Sequence, residues 1–221
     1  MRRVTPPEQP RLTAGEACAV VGVCFGWFIY GSLWSVAEGF ASSPGTFSDS
    51  SFLSLIGTEL FLGAVALSIL RGRGYDLARL LPRPTWADSF AGVLLFVVAM
   101  LLWWVLAGVF TSSEHAAQPI SDMMARQSVS LPMALTVSLL NGVYEETFLL
   151  GYLVRGLAER GASIALGVSA LVRMLYHLYQ GPIGAVSVLA YGLLVSVFYW
   201  RTRRLWPVVL AHTLVDVLAF S

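Results

Sequence analysis

Apolar residues gather along this chain in long runs, and the polar residues are confined to the stretches between them. A window the length of a membrane-crossing helix finds runs near residues 17–36, 52–70, 90–110, 132–154, 162–179, 185–200 and 205–220. The pattern predicts about seven transmembrane helices. Between the runs lie EGFASSPGTFSDS, RGRGYDLARLLPRPTW, TSSEHAAQPISDMMARQSVS, RGLAERG, QGPIG and RTRR, whose Gly, Pro, Ser and Arg content ends a helix and turns the chain. No repeat or low-complexity linker divides the sequence, so it reads as one membrane domain. Within it, residues 1–16 form an N-terminal cytoplasmic segment, 17–131 the first helices with their loops, and 132–221 a C-terminal helical core.

Composition gives the same class: 57% of the 221 residues are hydrophobic and 12% charged, and the mean hydropathy is +0.72. The expectation is an all-α polytopic bundle in contact with membrane lipids. A formal charge of +1 offers nothing to a nucleic acid, and none is expected as a partner. Charge placement is more informative. Every basic residue outside the histidines is an arginine. Arg2, Arg3 and Arg11 precede the first run, Arg71, Arg73, Arg79 and Arg83 follow the second, Arg155 and Arg160 the fourth, and Arg201, Arg203 and Arg204 the sixth. The alternate connections hold only Arg126. Cytoplasmic loops carry the excess of arginine, so the predicted orientation in the cell membrane has the N-terminus inside and the C-terminus outside. Glu16 and the length of the first run argue that this helix is retained rather than cleaved as a signal. Tryptophans and tyrosines at 27, 30, 34, 75, 86 and 200 suit interfacial belts. Cys18 and Cys24 lack metal-site spacing and read as lipid-facing or packing residues. The Gly22–Gly26 pair permits close helix packing, and His115 reads as a solvated loop residue.

Ionisable groups inside the runs are costly, roughly 2.5–3.5 kcal/mol each at the bilayer centre, so those present face a protein interior or a wet cavity and usually serve a function. Glu145, Glu146, His177, His212 and Asp216 stand out. At 1.5 Å per residue, Glu145 lies about 15 Å from Arg155, and His212 about 12 Å from Arg204, both near mid-membrane. His177 falls nearer the outer side unless its helix breaks at Gly181–Pro182. His212 and Asp216, four apart, share a helix face, as do Gly142, Glu145 and Leu149. Adjacent Glu145 and Glu146 diverge by about 100°, so one is expected to work and the other to support it. Glu59, also mid-run, reads as an interior contact without assigned chemistry.

These residues resemble the motifs of the CPBP family of intramembrane proteases, the CAAX prenyl endopeptidase and bacteriocin-processing group also called Abi. The family pattern is EExxxR on one helix, FxxxH on the next and HxxxN or HxxxD on a later one. Here EETFLL supplies Glu145 and Glu146, RMLYH supplies His177, and HTLVD supplies His212 and Asp216. Two positions depart from the pattern. Leu150 stands where the family has arginine and Arg173 where it has phenylalanine, which suggests that Arg173 supplies the missing cation from the neighbouring helix.

The resemblance implies an intramembrane endopeptidase acting on a membrane-associated peptide or protein tail. Glu145 would be the general base and His177 would position or deprotonate the water. His212 with the residue at 216 would stabilise the tetrahedral intermediate, and Glu146 would hold the network in register. An ionised Asp216 would repel an oxyanion, so it is either protonated or orients His212. No cofactor is required by this route. The residue types also permit zinc, held by Glu146, His177 and His212 with one position open to water. Prenylated CAAX tails are one family substrate. The arginine-only, glycine-rich composition hints at a bacterial source, where leader peptides are the natural alternative. Two other classes stay open: a catalytically inactive scaffold, given Leu150, and a proton- or ion-coupled transporter, although no repeated half or pair of broken helices supports the latter.

Overall fold

The computed structural model describes residues 10–40, 46–110 and 119–221. Arg2, Arg3 and His115, read above as charge markers and a solvated residue, lie outside them. Among the described residues the chain is helical with no strand, and the one isolated bridge pairs Ser48 with Ser128. The helices are α1 (Ala14–Ala37), α2 (Asp49–Gly72), α3 (Trp86–Phe110), a short α4 (Pro119–Ala125), α5 (Leu131–Glu146), α6 (Ala162–His177), α7 (Gly181–Thr202) and α8 (Trp206–Phe220). Each predicted run is one of the seven long helices.

Among the described residues four stretches are long and apolar enough to cross a membrane: Ala14–Ala37, Asp49–Gly72, Trp86–Gly108 and Ala162–Thr202. The last is two helices divided by a 3-10 turn at Leu178–Gln180. The expected break near Gly181–Pro182 is therefore present, and it ends α6 at His177 itself. α8 has only 15 residues, about 22 Å, which is short of a full crossing. The outer surface explains the composition. Trp104 is 72% and Phe90 73% exposed on α3, and Trp27, Tyr30 and Trp34 stand outward on α1. So large an apolar surface is stable only against lipid.

The two ends of the bundle differ in chemistry. At one end the starts of α2 and α5 meet: Ser48 and Ser51 form a capping box on α2, and the Ser130 N–H donates to Asp49 Oδ1 at 2.8 Å. Gln127 donates to the Ala219 carbonyl near the close of α8, and Phe47 and Phe52 each pack edge to face on Phe220 beside it. At the other end lie the arginine-rich connections. Glu16 accepts from Arg73 at 3.1 Å and from Tyr152 at 3.2 Å, Arg204 pairs with Asp88 at 3.0 Å, and Arg155 donates to the Arg79 carbonyl. The alternation of basic connections in the sequence is thus a segregation in space.

Each N-terminal helix packs on a C-terminal one, α1 on α6, α2 on α5 and α3 on α8. Cys24 is buried in this packing, with its carbonyl accepting from Tyr144 at 2.7 Å, and Cys18 is exposed. The Gly22–Gly26 pair makes no use of its small size, since nothing lies within 4 Å of where a side chain would begin at either position.

Candidate active site

The glutamates sit at the end of the regular part of α5. From Thr147 to Val154 the helix continues without a break but with π-helical hydrogen bonding, and all eight residues are buried. A π segment closes its bonds one residue later than an α-helix, so the α-helical face predicted from Gly142 through Glu145 to Leu149 does not extend past Glu146. The N-terminal half of that face holds. Gly142 lets α8 approach: a Cβ there would meet Thr213 Oγ1 at 3.2 Å and the Val209 carbonyl at 3.3 Å. This contact brings His212 beside the glutamates.

Arg173 of α6 organises both carboxylates. Its Nη1 donates to Glu145 Oε2 at 2.9 Å, and its Nη2 donates to both oxygens of Glu146 at 2.8 Å. The side chain is 1% exposed, and the ring of Tyr191 lies 5.9 Å from its guanidinium carbon. The planar fork reconciles what the sequence set apart. Two glutamates about 100° apart on one helix cannot face one atom, but they can face two nitrogens of one guanidinium. The cation expected from α6 in place of Leu150 is therefore in contact with both carboxylates, while Leu150 itself is fully buried.

Around this core the second carboxylate partner of each group is defined. Glu145 Oε2 also accepts from Tyr176 at 2.6 Å, which leaves Oε1 without a hydrogen bond among the described residues. Glu146 is 0% exposed and lies 2.7 Å from His212 Nδ1 through its Oε1. A carboxylate only accepts, so His212 carries its proton on Nδ1. His212 Nε2 then faces Asp216 Oδ2 at 3.5 Å and Glu145 Oε2 at 4.0 Å. His177 Nδ1 lies 2.9 Å from the Arg173 carbonyl. A carbonyl likewise only accepts, so a neutral His177 holds its lone pair on Nε2. Asp216 accepts from Asn141 Nδ2 at 3.2 Å.

All but Glu146 of the five sequence-predicted groups line one cavity of about 330 Å³, and Glu146 adjoins them through its contact with His212. α1, α2 and α3 contribute mainly apolar side chains to the cavity lining, including Phe25, Phe52, Leu55 and Trp103, with the carboxyl of Glu59 among them. Tyr176, Asn141 and Gly192 belong to the site and were not singled out by the sequence. Asn141 had a signal, because it lies four residues before Glu145 on the same face of an apolar helix. Gly192 had none. A Cβ there would fall 2.8 Å from Arg173 Cδ and 3.2 Å from its Nε. Gly192→Ala is expected to push the guanidinium off the carboxylates at an overpacking cost of about 1–3 kcal/mol, with turnover falling further than the thermal midpoint does. Wild-type turnover in that variant would show that the fork position does not matter.

The ligand atoms that converge here are not the zinc set considered above. His177 is outside the group that could hold an ion, which consists of Glu145, Glu146 and His212 with their ligand atoms within 4.8 Å of one another. In that group both Glu146 oxygens and Glu145 Oε2 already serve a guanidinium that is fully enclosed, and His212 Nδ1 is directed at Glu146. A divalent ion would compete with a resident cation for the same oxygens.

Residues 127–218 match the family model described as Type II CAAX prenyl endopeptidase Rce1-like. No curated protein and no solved structure matches the chain. The matched stretch contains Asn141, both glutamates, Arg173, both site histidines and Asp216. Residues 127–218, a set of buried helices carrying carboxylates and imidazoles to one cavity, are thus similar to the CAAX prenyl endopeptidase family of membrane-embedded proteases.

Proposed function

We propose that the protein hydrolyses a peptide bond in a membrane-associated peptide or protein tail, with water activated by Glu145 and His177. The observation that carries this reading is the convergence of three helices. Glu145 on α5 is tied to α6 by Tyr176 at 2.6 Å and Arg173 at 2.9 Å, and lies 4.0 Å from His212 Nε2 on α8.

In this reading Tyr176 and Arg173 fix one Glu145 oxygen and leave Oε1 to accept a proton from water. The His177 Nε2 lone pair takes the second hydrogen bond of that water and orients it toward the scissile carbonyl. His212, its Nδ1 proton held by Glu146, donates from Nε2 to the developing oxyanion when it carries a second proton. Asp216 orients His212 rather than facing the oxyanion. The amide that an asparagine at 216 would bring is supplied across the α5–α8 contact by Asn141. The proton collected on Glu145 passes to the leaving amine. Glu146 does not touch substrate; it holds Arg173 and His212 in register.

Residues 132–221 act as the catalytic core, and the helices within 17–131 wall the cavity. The arginine-rich end faces the cytoplasm, the C-terminus lies on the opposite side of the cell membrane, and an extended peptide reaches the cavity between helices. Separate His177→Ala and His212→Ala variants, purified and offered prenylated CAAX tails and leader peptides, are each expected to lose about 10²- to 10⁴-fold in turnover. If either cuts as fast as the parent, that histidine has no part in the chemistry assigned to it.

A further inference from the structure

Glu59, on α2, is a carboxyl group that the mechanism above does not use. It is 4% exposed, its Oε2 has no hydrogen-bond partner, and it lines the same cavity as Glu145, His212 and Asp216. Its depth agrees with its place in the wall. The starts of α2 and α5 are joined by the Asp49–Ser130 hydrogen bond. Glu59 and Asn141 each lie ten residues into their helix, about 15 Å from that end.

The charges around the cavity leave this group alone. Both terminal nitrogens of Arg173 are engaged by Glu145 and Glu146, and His212 stands among Glu145, Glu146 and Asp216. His177 is turned to the Arg173 carbonyl through Nδ1. Glu59 is near enough to Glu145, Asp216 and His212 to interact with their charges, yet no cation is paired with it among the described residues. Removing a carboxylate from water without a partner is expensive, and a cation brought by a ligand relieves that cost. The surrounding aromatic side chains lower the local dielectric and would strengthen such a pair.

We infer that Glu59 is a specificity residue that receives the cationic side chain of a lysine or arginine in the bound peptide, so that the cavity selects basic over neutral and acidic residues beside the cleaved bond. This deepens the protease reading and rests on it only for the position of the cleaved bond. The apolar wall takes the flanking residues, and an acidic residue at the same place would meet three carboxyl groups.

The test uses three fluorescent twelve-residue peptides of leucine and alanine that differ only in a central Lys, Gln or Glu, bound to the purified full-length protein in detergent micelles. The Lys peptide is expected to bind at least ~10-fold more tightly than the Gln peptide, the size of one buried charge-assisted hydrogen bond, and the Glu peptide more weakly still. Glu59→Gln removes the difference between Lys and Gln, and Glu59→Lys turns the preference to Glu. Equal binding of the three peptides to the parent, or a Lys preference that survives in Glu59→Gln, overturns the inference. Binding is read without hydrolysis, so the two readings separate. Charge-selective binding with no cleavage upholds the role of Glu59 and sinks the protease mechanism, whereas cleavage without charge selectivity does the reverse.

Discussion

Glu145→Gln is expected to abolish peptide cleavage, with turnover down about 10³-fold, while the protein still folds. The substitution keeps the shape of the side chain and an oxygen for the Tyr176 hydroxyl, and Arg173 remains held by the two bonds of its Nη2 to Glu146. What is lost is the free carboxylate oxygen facing the cavity. An amide neither accepts a proton from water at neutral pH nor delivers one to a leaving amine. The comparison that gives the result meaning is Glu146→Gln. Glu146 is fully enclosed and binds both Arg173 and His212, so its loss lowers stability along with turnover. A Glu145→Gln protein that cuts a membrane-associated peptide at a tenth of the parental rate or better would leave the assigned base without a role.

Arg173→Leu is expected to cost both activity and structure. It leaves two adjacent carboxylates buried without their cation, and breaking a buried pair of this kind destabilises by about 3–5 kcal/mol. The thermal midpoint in detergent should fall by several degrees and cleavage should disappear. Arg173→Lys separates charge from geometry. An ammonium supplies a positive point charge but cannot offer two nitrogens in a fixed plane to Glu145 and Glu146, so the lysine protein is expected to keep much of the stability and lose most of the turnover. The family pattern gives a third variant. Leu150→Arg combined with Arg173→Phe returns the cation to the glutamate helix, and it should recover part of the activity missing from Arg173→Leu. Unchanged cleavage and unchanged midpoint in Arg173→Leu would refute the compensating role of this residue.

The membrane-helical class and the candidate acids and imidazoles were legible because both depend on local facts. A run of apolar residues long enough to span a bilayer declares itself by length, and an ionisable residue inside such a run declares itself by cost. The break after His177 was legible in the same way, from Gly181–Pro182. Local geometry also misled. Leu149 was assigned to the Glu145 face by α-helical arithmetic, and the π segment from Thr147 to Val154 changes that register. The close packing that the Gly22–Gly26 pair permits is not used by the described helices. The ligand atoms that converge most closely are those of Glu145, Glu146 and His212 rather than the expected Glu146, His177 and His212, because which groups meet is set by helix crossings and not by spacing.

The sequence by itself determined that this is an all-helical membrane protein, where along the chain its few ionisable groups fall, and which connections carry arginine, since apolar length and charge placement need no partner to be read. Only the tertiary structure decided which of those groups meet. Arg173 reaches Glu145 across 28 residues and Asn141 reaches Asp216 across 75, distances over which no helical period carries information. Whether a buried carboxyl is paired, as Glu146 is, or left open to a ligand, as Glu59 is, depends on how close neighbouring helices come, and that is fixed by small side chains at the crossings and by the π register of one helix.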